Sequence, residues 1–167
     1  MKLLELKGGC LIGLAGLAWL YASYFMGLHT DGFGKIWLMA GIGSVISLVA
    51  YSLALGAVVK AEPETSFIEG LKSGAIMAVI AAVIAVFTRL GYFEWINPNW
   101  TEYMMAQMRL HFEAAEQSPE VVKEQVELAS VNFSRRNDVM QAGLGALVSG
   151  FVYSALVMGV IRYLKNR

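Results

Sequence analysis

The chain has 167 residues, enough for one domain, with 57% apolar residues, only 16% charged residues and a formal net charge of zero. Soluble domains carry about 25% charged residues. Here the shortfall is local, with the charges gathered between long apolar blocks, which points to an integral membrane protein and excludes a basic nucleic-acid-binding surface.

A membrane-spanning helix needs about 20 mostly apolar residues, and four runs satisfy this, near 8–28, 36–59, 70–93 and 140–164. The first is longer than the apolar core of a secretory signal. No small-x-small cleavage site with a polar mature start follows it, so it is read as a retained span. Its lone Cys10 forms neither a disulfide nor a zinc site and is expected to be a small buried thiol. The stretch before Cys10 is too short and too charged to be a lipoprotein signal.

The link His29 to Lys35, "HTDGFGK", carries turn chemistry at Asp31-Gly32 and Gly34, and its shortness forces an antiparallel pair of spans. In the second link, "KAEPETS", Pro63 stops the preceding helix, and Ser66 with Glu69 matches a capping box that opens the third span. Lys72 and Arg89 lie near the two ends of that span, where long cationic side chains reach the interface.

Residues 94–138 differ in kind and read as an extramembrane helical hairpin inserted between spans three and four of a single membrane domain covering 1–167. "INPNW" predicts an N-cap at Asn97 with Pro98 at the first helical position. Trp100, Met104, Met108 and Phe112 then recur every four residues as an apolar stripe. "SPE" repeats the start signal at Ser118, and Val122, Val126, Ala129 and Phe133 form a second stripe. Arg109 with Glu113, and Lys123 with Glu127, fit solvated helical faces. The two stripes can pack on each other, lie on lipid headgroups beside the aromatic belt of Tyr92, Trp95 and Trp100, or form a groove for a partner.

Four spans put both termini on the side of Lys60. Lys2, Lys7, Lys60, Lys72, Arg162, Lys165 and Arg167 stand there against Lys35, Arg89, Arg135 and Arg136 opposite, so the termini are expected in the cytoplasm. In lipid, helices associate by close backbone packing on small residues. The third span offers Ser66, Gly70, Gly74, Ala78 and Ala82, and the fourth offers Ala142, Ala146, Gly150 and Ser154, each series spaced by four. Both ridges are expected to face neighbouring helices. Gly9, Gly13 and Gly16 in the first span, and Ala40, Gly43, Ser44 and Ser47 in the second, are shorter candidates.

No span places an ionisable residue near its centre, which argues against an ion-coupled carrier and against an intramembrane aspartyl or metal protease. Ser44, Ser47, Ser52 and Ser149 lack a nearby base and are expected to hydrogen-bond between helices. Tyr51 and Tyr153 are expected either to line a small cavity or to reach a carbonyl. His111 near Glu113 and Glu116 falls short of the three converging ligands a metal needs, and Met104, Met105 and Met108 read as apolar packing. No catalytic residue, metal or cofactor is expected.

"SFIEGLKSG" (66–74), "YFEWINPNW" (92–100) and "SPEVVKEQVELA" (118–129) occur in the order seen in a bacterial membrane family catalogued as domain of unknown function 4199, which this chain resembles over nearly its whole length. Asn97 stands where such proteins often have aspartate, and "SVNFSRRND" departs from a more methionine-rich insert. The resemblance implies four spans in a bacterial inner membrane with an amphipathic insert before the last, and it implies no activity. The expected role is that of a non-enzymatic accessory or scaffold protein whose hairpin meets protein or lipid. The alternative is a small oligomeric transporter or channel subunit. Expected partners are membrane lipids and either a second copy of the chain or another membrane protein.

Overall fold

A computed structural model describes residues 3–29 and 34–165. Among them there is no strand. The chain forms α1 (Leu3–Phe25), α2 (Gly34–Ala61), α3 (Phe67–Gly91), a π-helical turn (Tyr92–Ile96), α4 (Trp100–Ala114), α5 (Pro119–Asn132) and α6 (Arg135–Lys165). The Asp31-Gly32 turn, and Lys2 and Arg167 of the charge comparison, lie outside the described residues.

The four helices α1, α2, α3 with its π-turn, and α6 are long and apolar enough to cross a membrane, and at most 39% of the most apolar window of any of them is buried. What they leave outside is apolar: Trp37, Val45, Leu53, Phe87, Val148 and Phe151 are all exposed. Water does not tolerate so continuous an apolar surface, whereas lipid does, and each helix satisfies its own backbone. The protein is therefore membrane-embedded.

The ends of the helices follow local chemistry. α1 stops at Phe25, short of the expected 28, because Gly27 takes a left-handed φ of 75°. The Gly27 and Leu28 amides then donate to the Tyr24 and Ser23 carbonyls, closing the helix in a Schellman arrangement. α1 also starts earlier than expected and so takes in Glu5, which is buried and accepts a hydrogen bond from the Ser73 hydroxyl at 2.9 Å. At the head of α3 the capping box is formed: Ser66 Oγ accepts from the Glu69 amide and the Glu69 carboxylate accepts from the Ser66 amide. α6 begins at Arg135, ahead of the expected 140.

Close approaches fix the packing order. A Cβ placed on Gly9 would meet Ile80, and one on Gly13 would meet Ile84, so α1 runs parallel to α3. Gly8 lies against Ala54 and Gly43 against Trp19, so α1 and α2 are antiparallel. Gly70 meets Met158 and Gly143 meets Val86, so α3 and α6 are antiparallel. α3 is thus held between α1 and α6, and α2 leans on α1 and α6. Tyr51, Leu55, Val58, Met77, Ala78 and Met158 form the core of this bundle toward the end that carries the chain termini.

α4 and α5 pack on each other, with Val122, Val126 and Ala129 of the α5 stripe buried, while Met104 and Trp100 of the α4 stripe are buried with Tyr92 and Phe93. Ser118 caps α5 with Pro119 in its first turn, as its sequence predicts. The Asn97 expectation is corrected. The π-turn consumes residues 92–96, the Asn97 amide donates to the Tyr92 carbonyl at 2.8 Å, and α4 starts only at Trp100, preceded by Asn99. A helix that widens before it ends here delays its successor by two residues.

Candidate functional site

The two ridges of small residues occupy different surroundings. Gly70, Gly74, Ala78 and Ala82 of α3 are all buried, as are Gly150 and Ser154 of α6. Gly70 lies on Met158, Gly74 on Ser154, and a Cβ on Gly150 would stand 2.6 Å from that of Ala78. Ser154 donates to the Gly150 carbonyl at 2.7 Å, so its hydroxyl is satisfied within its own helix. Ser66 is the cap of α3. Ala142 and Ala146 are only partly buried and line a cavity. The interhelical role expected of the span serines is corrected for two of them: Ser52 donates to the Leu48 carbonyl and Ser149 to the Gly145 carbonyl, each four residues back.

Where the hairpin meets the bundle, buried polar side chains converge from five segments. Arg89 near the end of α3 donates through Nε to Asp138 Oδ1 at 2.6 Å, and Trp100 at the head of α4 donates through Nε1 to Asp138 Oδ2 at 3.1 Å. Both carboxylate oxygens are thereby engaged. Asp138 sits in the first turn of α6, where a negative charge also meets the helix dipole favourably. The Arg89 guanidinium lies 5.3 Å from the centroid of the Tyr92 ring. The Thr101 hydroxyl donates to the Phe133 carbonyl at 2.8 Å, closing the base of the hairpin.

Beside this clamp runs a chain of hydrogen bonds whose direction is set by donor arithmetic. The Ser23 hydroxyl donates its single hydrogen to the Leu20 carbonyl at 2.8 Å, so toward His29 Nε2, 2.9 Å away, Ser23 can only accept. His29 therefore carries its proton on Nε2 and presents a bare Nδ1, which accepts from the Tyr92 hydroxyl. The Tyr92 oxygen in turn accepts from the Asn97 amide at 2.9 Å. The neutral imidazole fits this chain, and a second proton, on Nδ1, would displace the Tyr92 hydroxyl from its role as donor there. Burial first, and the neighbouring Arg89 charge second, push the His29 pKa down to about 4. Trp100, Tyr24 and Tyr92 surround the imidazole, with ring centroids 5.3 to 5.8 Å away.

Sequence reasoning placed His29 at a membrane edge, Arg89 as a snorkelling cation and Asp138 outside the last span. The fold joins all three in one buried junction. The available signal was the density of polar and aromatic residues in 88–100 facing a lone histidine after α1, but no spacing rule connects residues 63 and 49 positions apart.

Between α1, α2, α3 and α6 lies a cavity of about 390 Å³. Its walls are mostly apolar, built by Ile12, Leu17, Met39, Ala85 and their neighbours. Tyr51 lines the end nearer the chain termini, and Thr88 and Arg89 stand at the end beside the junction. The Tyr51 hydroxyl, Thr88 Oγ1 and Arg89 Nη1 are buried with no hydrogen-bond partner among the described residues. Of the two alternatives expected for Tyr51, the cavity is the one found. Elsewhere, His111 is exposed on α4, and no group of three His, Cys, Asp or Glu side chains able to hold a metal occurs among the described residues.

No curated protein and no solved structure matches the chain significantly. The family model described as "Protein of unknown function (DUF4199)" matches residues 7–163, so that nearly all of the bundle, the junction and the hairpin fall within it, and the chain belongs to that family.

Proposed function

We propose that this is a non-enzymatic accessory or scaffold protein of a bacterial inner membrane, with both termini in the cytoplasm, which holds its α4–α5 hairpin in a fixed pose at the outer interface for contact with another membrane protein or with lipid. Its support is the Arg89–Asp138–Trp100 clamp, in which Trp100 of the hairpin bonds Asp138 of α6, itself held by Arg89 of α3. A loose surface loop has no need of a buried ion pair, whereas a hairpin that presents a surface gains from being rigid. Leu110, Leu128 and Val131 remain exposed on that hairpin.

Purification from native membranes in mild detergent, followed by mass measurement, tests this. A defined complex heavier than one chain is expected, and Leu128→Glu should strip the partner while leaving the melting temperature of the chain unchanged. A lone chain, or a complex indifferent to charges on the hairpin, defeats the proposal.

The transporter or channel alternative draws on the cavity. Its end nearer the chain termini is blocked by Tyr51 and the packed Leu55, Val58, Met77 and Met158, so a conducting path would have to run between copies. Mass measurement showing a closed ring, together with solute flux into proteoliposomes, would favour that reading instead.

A further inference from the structure

We propose that the cavity between α1, α2, α3 and α6 is a binding site for a single-chain membrane amphiphile whose uncharged oxygen-bearing head accepts hydrogen bonds from Thr88 and Arg89. A cavity of about 390 Å³ lies within the range of roughly 300–1,000 Å³ typical of small-molecule sites, which are likewise apolar with a few placed polar groups. It is elongated: α1 lines it from Ile12 to Ser23, a length of about 16 Å at 1.5 Å per residue. Small side chains widen it on facing helices, Ala40, Gly43 and Ser47 on α2 and Ala142 and Ala146 on α6. That shape suits an extended hydrocarbon chain.

The polar atoms say where the head lies. Buried polar atoms without partners are rare in native proteins. Here Thr88, 7% exposed, and Tyr51, 2% exposed, both line this one cavity with hydroxyls that have no partner among the described residues, as does Arg89, whose buried Nη1 is likewise unpartnered there. Thr88 and Arg89 are adjacent on α3 and stand at the same end, beside the junction. Tyr51 belongs with Leu55, Met77 and Ala78 in the apolar core, beyond reach of the same head.

Charge decides the class of head. The Arg89 cation is already balanced by Asp138, whose two oxygens are both engaged, and the neighbouring imidazole is neutral. A second anion would face the Asp138 carboxylate, whereas a carbonyl or hydroxyl oxygen can accept from Nη1 without that repulsion. A monoacylglycerol or a fatty alcohol has this chemistry, and a fatty acid anion does not.

The test uses the full chain in mild detergent with radiolabelled monoolein, measuring label retained on the protein after gel filtration. Saturable binding of one monoolein per chain is expected, displaced by unlabelled monoolein and by oleyl alcohol. Oleate at pH 8 should displace it about tenfold more weakly. Ala146→Phe, which fills the cavity from α6, should weaken binding about tenfold or more. Thr88→Val preserves shape and removes the hydroxyl, and should weaken it several-fold, with the melting temperature of each variant reporting its folding. Absence of saturable binding, or equal binding to the folded Thr88→Val variant, overturns the site. Displacement by oleate as good as by oleyl alcohol overturns the uncharged head.

Discussion

Replacing Asp138 by alanine removes the one group that serves both Arg89 and Trp100. The pair is well shielded, with side-chain exposures of 21% for Arg89 and 10% for Asp138. Deleting one partner of a buried ion pair costs roughly 3–5 kcal/mol, because the surviving charge stays in a poor solvent without compensation. Arg89 keeps some access to polar surroundings, so the lower end applies, about 3 kcal/mol. Asp138→Asn is nearly isosteric but no milder in kind: its amide offers one oxygen to two donors and turns an NH2 group toward the other. The hairpin itself loses the Trp100 bond, a hydrogen bond to a charged group worth about 1.5–3 kcal/mol, which shifts the balance between docked and released hairpin roughly ten- to hundredfold. Proteolysis within 115–118, the link between α4 and α5, should quicken in the variant well below its global melting temperature in detergent. The exposed Arg135–Glu94 pair, at 2.7 Å, is the control. Arg135→Ala should alter neither readout by more than about 0.5 kcal/mol. If Asp138→Ala leaves both the cleavage rate and the melting temperature within that margin, the clamp does not hold the hairpin.

The His29 pKa lies at about 4 in the folded protein against a model-peptide value of 6.5, so the unfolded chain binds the extra proton more readily. Its contribution to stability is complete above pH 6.5, declines as the pH falls toward 4 and is absent below. Melting temperatures taken across that window should fall on acidification, with a shallower slope in His29→Gln; an unchanged slope removes this account of the junction. Gly74→Leu and Gly150→Leu must displace Ser154, and Ala78 or Tyr51, respectively. Overpacking of this kind costs about 1–3 kcal/mol or more. A Cβ on Gly145 meets nothing within 4 Å, so Gly145→Leu should give a normal folded yield in detergent. Equal yields from all three variants contradict the packing described for α3 and α6.

The sequence was readable wherever one local rule governs. Length and apolarity mark the four long helices, Ser66 with Glu69 marks the head of α3, and Ser118-Pro119 marks the head of α5. These signals lie within a few residues of one another, and the physics they report is equally local. Asn97 failed for an instructive reason. Asn-Pro is good start chemistry, but the preceding helix widened into a π-turn and took the Asn97 amide for Tyr92. Asparagine then used its side chain to orient the Tyr92 hydroxyl. The span serines failed because a hydroxyl in lipid finds its own helix carbonyl sooner than a neighbour. The junction and the cavity depend on the register of α3 against α1 and α6, which the four-residue spacing of small residues allows but does not fix.

That register explains why so few charges suffice. At a lipid boundary, apolar contact alone distinguishes poorly between the helix ends and the neighbouring lipid, since both offer similar surroundings. Directional bonds restore the difference: Trp100 can donate its indole hydrogen to Asp138 in one pose, and no lipid tail can replace that acceptor. Arg89 completes the pose from α3 and neutralises the carboxylate, so α3, α4 and α6 are fixed relative to one another by three side chains. The same arginine keeps one buried nitrogen without a partner among the described residues and lines the end of the cavity beside the junction. Through Asp138, the arginine that lines the cavity is thus coupled to the tryptophan that seats the hairpin.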